Sequence, residues 1–140
     1  MLPTHKSAVL AALIAACALA PAPASAEPAA PTTTEVTFPS RGHTLHGTVV
    51  APADHSGERP AVVIVAGAGS THRDDYRREA ETFARAGITA LVYDKAPGYS
   101  RATSTFADLA DDALAGVRLL RGSPGVNPSL VGLWGRSQGG

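Results

Sequence analysis

Between residues 34 and 50 the chain alternates polar and apolar positions twice. Residues 34–38 (TEVTF) and 44–50 (TLHGTVV) each carry the period of two expected of a half-buried strand, and the turn-forming stretch Pro39-Ser40-Arg41-Gly42 separates them. This pattern predicts an antiparallel hairpin at a sheet edge. A polar loop follows at 51–60 (APADHSGERP), and then the pattern changes character. Residues 61–66 (AVVIVA) are continuously apolar and rich in β-branched side chains, as in a strand covered by helices on both faces.

The next unit has helical periodicity. Tyr76, Ala80, Phe83, Ala84 and Gly87 recur on one helical face, Thr71 and Asp74 have capping-box spacing, and Arg85 and Gly87 suit a helix end. The unit then repeats. Residues 88–93 (ITALVY) predict a second buried strand ending at Asp94, and Pro97-Gly98 marks a turn in the loop 94–104. Phe106, Leu109, Ala113, Val117 and Leu120 form an apolar stripe on a second helix, capped by Thr105 and Asp108. Arg118 and Arg121 oppose its C-terminal dipole, and Gly122 and Pro124 lie just past it. Asn127-Pro128 reads as a turn, and residues 130–134 (LVGLW) as a third buried strand. Strands alternating with helices predict an α/β fold with a largely parallel sheet.

Composition narrows the classes of function. The 140 residues leave room for at most one ordinary domain, and a hydrophobic fraction of 44% suffices for a core. The formal net charge is zero, which gives no electrostatic reason to expect nucleic acid or an anionic membrane as partner. The single cysteine, Cys17, forms no internal disulfide and rules out a cysteine-based zinc site. His43 and His46 lie three apart, on opposite faces of a strand, and read as solvated histidines rather than metal ligands.

Residues 1–26 read as a secretory leader. Lys6 gives a basic start, residues 8–20 are apolar but too short to span a bilayer, and Ala24-Ser25-Ala26 supplies a cleavage site after Ala26. Within it, Ile14-Ala15-Ala16-Cys17 resembles a bacterial lipobox, so lipidation at Cys17 is the alternative. Either route takes the protein out of the cytoplasm to the periplasm or beyond. Residues 27–33 (EPAAPTT) read as a spacer, and 34–140 as the folded part.

Two glycine-rich corners fall at the carboxyl ends of predicted strands, where open α/β sheets bind ligands. The first, Gly67-Ala68-Gly69-Ser70-Thr71-His72, begins like the dinucleotide fingerprint, with Asp94 at the end of the next strand. His72 stands where the third glycine belongs, and an exported protein has little access to nicotinamide cofactors, so no cofactor is expected. The second, Gly135-Arg136-Ser137-Gln138-Gly139, follows directly on a strand. A strand–turn–helix elbow needs its glycines there, and it lifts a serine hydroxyl out of the sheet at the N-terminus of the following helix. A tetrahedral oxyanion needs two preorganised N–H donors. The residue after the nucleophile, Gln138, would give one, and the Gly67-Ala68-Gly69 loop the other.

With these motifs in place the chain resembles the α/β-hydrolase superfamily from about residue 34 to 140. Within it, the chain resembles the dienelactone-hydrolase, prolyl-oligopeptidase-like and acyl-CoA-thioesterase-like group. The resemblance is carried by Gly42-His43-Thr44-Leu45-His46-Gly47 in the hairpin, the Val-rich strand, Arg85-Ala86-Gly87-Ile88, Tyr93-Asp94, and the elbow Gly135 to Gly140. Two departures are Ala66, where the family's oxyanion loop starts with His, and Lys95-Ala96-Pro97-Gly98-Tyr99-Ser100, where it often has Arg-Gly-x-Gly-x-Ser. The resemblance implies the N-terminal half of a three-layer α/β-hydrolase sheet, a hairpin plus βαβαβ ending at the elbow. It implies Ser137 as nucleophile, the amides of Ala68 and Gln138 as oxyanion hole, and Gly67, Gly69, Gly135 and Gly139 as supporting positions. The substrate would be a small acyl compound: an ester, thioester or amide. A prolyl-oligopeptidase-like peptidase and a non-catalytic binding domain are the alternatives.

In such hydrolases the acid and then the histidine follow the serine. Here every histidine precedes Ser137, and Asp94, Asp108, Asp111 and Asp112 precede it too, the last three expected as solvated charges on or near a helix. The expectation is therefore that these residues are the N-terminal part of a longer chain and hydrolyse nothing at a useful rate alone.

Overall fold

A computed structural model describes residues 29–140 apart from His55, Ser70 and Thr71. The leader, the lipobox, and one half of the Thr71–Asp74 capping box lie outside the described residues.

The predicted hairpin forms from β1 (Thr32–Ser40) and β2 (His43–Ala51), paired antiparallel from Thr32↔Ala51 to Ser40↔His43. The turn is shorter than the sequence suggests. Only Arg41 and Gly42 lie outside the strands, both with positive φ (48° and 78°), the two-residue geometry that matches the strands' twist. At the other end β1 starts at Thr32, so the last two spacer residues are already paired in the sheet. The remaining strands are β3 (Arg59–Val65), β4 (Thr89–Tyr93) and β5 (Val126–Gly135). Sheet order is β1-β2-β4-β3-β5, with β4, β3 and β5 mutually parallel and β2 antiparallel to β4.

Two helices cover the sheet. A 3₁₀ turn, Arg73–Tyr76, leads into α1 (Arg77–Arg85), which stops as expected at Gly87 (φ 84°). The second, α2 (Phe106–Arg121), begins with both limbs of the expected capping box. The Asp108 N–H donates to Thr105 Oγ1 at 3.1 Å, and the Thr105 N–H to Asp108 Oδ2 at 2.8 Å. Alternate residues of β3 divide between two cores. Ala61 and Val63 join Leu91, Leu120 and Val126 beneath α2, whereas Val62 and Ile64 join Tyr76, Ala80, Ala84 and Ala90 beneath α1. A continuous apolar run is thus explained by burial on both faces.

Three sequence readings need correction. Phe106 is 73% exposed, because burial along α2 begins only at Leu109. Asp112 is not a solvated charge but 1% exposed. Its helical angle places it in the Leu109–Ala113–Gly116 stripe, and partners on the hairpin make the burial tolerable. Ser40 Oγ donates to Asp112 Oδ1 at 2.6 Å, and Arg41 Nε and Nη2 donate to its two oxygens at 3.1 and 2.9 Å. Finally, β5 is not buried on both faces. It pairs with β3 alone among the described strands, with Leu130 and Leu133 each 54% exposed. Asn127-Pro128, expected as a turn before the strand, lies inside β5 instead, at an irregularity in its pairing. The ladder steps from Val126 to Val131 while β3 advances only from Arg59 to Ala61, and Asn127 Oδ1 accepts the Ser129 N–H.

Candidate active site

Because β4, β3 and β5 are parallel neighbours, their carboxyl ends present three loops along one edge of the sheet. The corner 66–69 follows β3, the loop 94–104 follows β4, and residues 136–140 follow β5. The two glycine corners singled out from the sequence therefore sit side by side. Ladder pairing continues to Val65↔Gly135, and the Arg136 N–H donates to Val65 O.

At Ser137 the chain bends sharply. Ser137 has φ 57° and opens a 3₁₀ turn, Ser137–Gly139, in which the Gly139 and Gly140 amides bond back to the Arg136 and Ser137 carbonyls. A non-glycine residue in this left-handed region costs of order 1–3 kcal/mol and is held there only by its surroundings. The flanking glycines show why. A Cβ on Gly135 would lie 1.7 Å from Gly139 O, and one on Gly139 would lie 2.2 Å from Val65 O. The turn folds back so tightly on its own strand and on β3 that neither position has room for a side chain. Ser137 itself is exposed.

The opposite wall is the first corner. A Cβ on Gly67 would meet Arg136 O at 3.2 Å and Ser137 Cβ at 3.5 Å, so the backbone approaches the serine closely there. Gly69 meets nothing within 4 Å and leaves its side open. Gly67, Ala68, Gly69, Tyr76, Arg101, Arg136 and Ser137 line one cleft of about 390 Å³. The Gly67 N–H donates to Tyr76 Oη at 3.0 Å and is thereby occupied. Among the described residues no hydrogen bond occupies the Ala68 or Gln138 N–H, the two donors expected of an oxyanion hole.

Three residues that sequence reasoning passed over hold this arrangement. Tyr76 anchors Gly67 and packs edge-on against Trp134, just before the elbow. Lys95 Nζ donates to Gly67 O at 2.7 Å and to Gln138 Oε1 at 3.1 Å, and it stands 4.0 Å from the centre of the Tyr99 ring. Tyr99 Oη donates to Gln138 Oε1 at 2.8 Å. The available signal was position: Lys95 comes two residues past β4, at the strand end where polar side chains gather around ligands.

The dinucleotide alternative loses its acid. Asp94 Oδ1 accepts the Arg73 N–H at 2.8 Å and Asp94 Oδ2 the Arg73 guanidinium at 2.6 Å, so the carboxylate ties the loop before α1 to the end of β4. His43 and His46 are exposed on β2, and His72 lies 3.5 Å from Asp74. Among the described residues no histidine or carboxylate is hydrogen-bonded to Ser137, and no group of His, Cys, Asp and Glu is arranged to hold a metal ion. Nor is any described helix long and apolar enough to cross a membrane.

No protein-family model matches the chain, and no curated protein matches it. Solved structures do. An esterase from the planctomycete Thermogutta terrifontis is 28% identical, with a TM-score of 0.64, over 76% of this chain and 41% of its own. A dienelactone hydrolase-like promiscuous phosphotriesterase from metagenomic libraries is 25% identical, with a TM-score of 0.62, over 76% and 49%. A hypothetical protein from Pseudomonas aeruginosa is 26% identical, with a TM-score of 0.64, over 75% and 35%. The chain thus spans between about a third and a half of the length of these structures. Sheet order and crossovers have the arrangement of part of the α/β-hydrolase fold. Within that superfamily it is similar to dienelactone-hydrolase-like and esterase structures.

Proposed function

We propose that the protein is an exported serine hydrolase that cleaves a carboxylic ester through an acyl-Ser137 intermediate. Ser137 Oγ attacks the acyl carbon, and the tetrahedral oxyanion is received by the Ala68 and Gln138 amides. Collapse expels the alcohol, and water then releases the acid. The observation that carries the reading is the left-handed Ser137, raised on a turn that excludes side chains and facing the Gly67–Gly69 corner across one cleft. The esterase and hydrolase neighbours support it. A separate structure of the Thermogutta esterase is phosphorylated by paraoxon, which suggests the probe. Activation of the hydroxyl needs an imidazole oriented by a carboxylate, and among the described residues neither is hydrogen-bonded to Ser137. Export through residues 1–26, with Cys17 lipidation as the alternative, belongs to the same proposal.

The test is labelling of the full-length protein with a fluorophosphonate. We expect one covalent adduct, mapped to Ser137 by peptide mass spectrometry and lost in Ser137→Ala. A folded full-length protein that stays unlabelled would instead be a non-catalytic binding domain. Turnover of prolyl peptides with no turnover of p-nitrophenyl esters would move the substrate from ester to peptide.

A further inference from the structure

We infer that Lys95 is a positioning residue that sets both oxyanion donors from one point; the inference rests on the acyl-transfer reading of Ser137. Its two hydrogen bonds go to unlike partners with one thing in common. Gly67 O belongs to the same peptide unit as the Ala68 N–H. A trans peptide is planar and holds its C=O and N–H on opposite sides, so an ammonium fixing the oxygen at 2.7 Å also fixes where the Ala68 N–H points. The other bond, at 3.1 Å, holds the side chain of Gln138, whose own backbone N–H is the second donor.

The charge adds to the geometry. A cation on the carbonyl oxygen polarises the peptide and strengthens donation from its N–H. The same ammonium therefore aligns one donor, strengthens it, and ties it to the other. The Tyr99 ring, 4.0 Å from Nζ, holds the cation from the side, and the Tyr99 hydroxyl shares Gln138 Oε1 at 2.8 Å. Lys95 is thus the link between loops carried by three different strands.

The experiment uses the full-length protein and p-nitrophenyl butyrate. Turnover that depends on Ser137 is required first; if Ser137→Ala leaves it unchanged, the acyl-transfer reading fails before Lys95 is examined. With that dependence established, Lys95→Met is expected to lower kcat about 10- to 100-fold, approaching the loss of a single oxyanion donor, with KM changed less than about threefold. Lys95→Arg, which restores charge and donors, should recover at least about tenfold of that loss. Gln138→Met removes only the shared acceptor and should cost roughly three- to tenfold in kcat. A folded Lys95→Met protein with wild-type kcat would overturn the inference, and so would a loss confined to KM or one that Lys95→Arg does not relieve. If Lys95→Met does not fold, Gln138→Met and Lys95→Arg decide alone: wild-type kcat in the first, or a rise in KM without a change in kcat in either, overturns it.

Discussion

Replacing Asp112 by Ala should destabilise the protein far more than its place in an Asp-Asp pair on a polar-looking helix suggests. The side chain of Asp112 is 2% exposed, and three hydrogen bonds from Ser40 and Arg41 end on it. Its charge is also felt elsewhere in the core: burial raises the Tyr93 phenol well above its ordinary pKa, and Asp112 pushes it further the same way. Hydrogen bonding to Asp112 likewise leads the upward shift of the Arg41 guanidinium. Removing one partner of a buried charge pair costs about 3–5 kcal/mol, because the other is left uncompensated. Arg41 is 26% exposed and keeps a 3.0 Å ion pair with Asp108, which moderates the cost. We therefore expect about 2–4 kcal/mol, or roughly 8–16 °C in Tm at about 4 °C per kcal/mol. Urea denaturation followed by far-UV circular dichroism measures it. A double-mutant cycle of Asp112→Ala with Arg41→Met should return a coupling of about 1.5 kcal/mol or more. A single-mutant loss below about 1 kcal/mol, or a coupling near zero, would show that the hairpin is not pinned to α2 through this carboxylate.

Gly139→Ala should abolish fluorophosphonate labelling in the full-length protein, since its Cβ would lie 2.2 Å from Val65 O and the turn must open to admit it; normal labelling would mean the elbow adapts without moving Ser137. Thr105→Ala removes the N-cap of α2 and should cost about 1 kcal/mol in a urea melt, with Thr105→Ser nearly neutral. The pH dependence has a definite sign. Hydrogen bonds from the Thr105 backbone and side chain, and then the charge of Arg41, hold Asp108 below its ordinary pKa of 3.8. Its contribution is therefore complete above the unfolded value near pH 4 and is lost as pH falls through the lower folded one. Melts from pH 6 to pH 2 should show a shallower acid loss in Asp108→Asn; identical slopes would remove Asp108 from the account.

Where one physical rule dominated, the sequence was readable. The buried runs of β3 and β4, the capping box at Thr105, the stop at Gly87 and the elbow each rest on local constraints that no distant contact reverses. The misreadings fall where a distant partner decides. Asp112 reads as solvated until Arg41, 71 residues earlier, is brought against it by the hairpin. Residues 130–134 read as buried because their composition is that of an inner strand, yet exposure depends on which strands flank them. The site divides in the same way. Ser137, Gln138 and the Gly67–Gly69 corner follow from motif and strand position. Lys95 and Tyr99 stand in the loop that departs from the family's pattern and Tyr76 reads only as a helix-face residue, and the partners of Lys95, Tyr76 and Tyr99 lie 28, 9 and 39 residues away in the chain.

The attachment of β5 bears on how the site can come apart. Among the described strands, one ladder to β3 holds the serine's strand in the sheet, and that ladder is interrupted between Val126 and Val131. Opening this single seam would separate the Ser137 hydroxyl from the Ala68 amide while the hairpin, β4 and both helices kept their bonds. Amide protons of residues 131–135 should accordingly exchange with solvent sooner than those of β4, through an opening cheaper than global unfolding. The arrangement around Ser137 and the integrity of the remaining architecture are separable quantities here, and the former is the first to go.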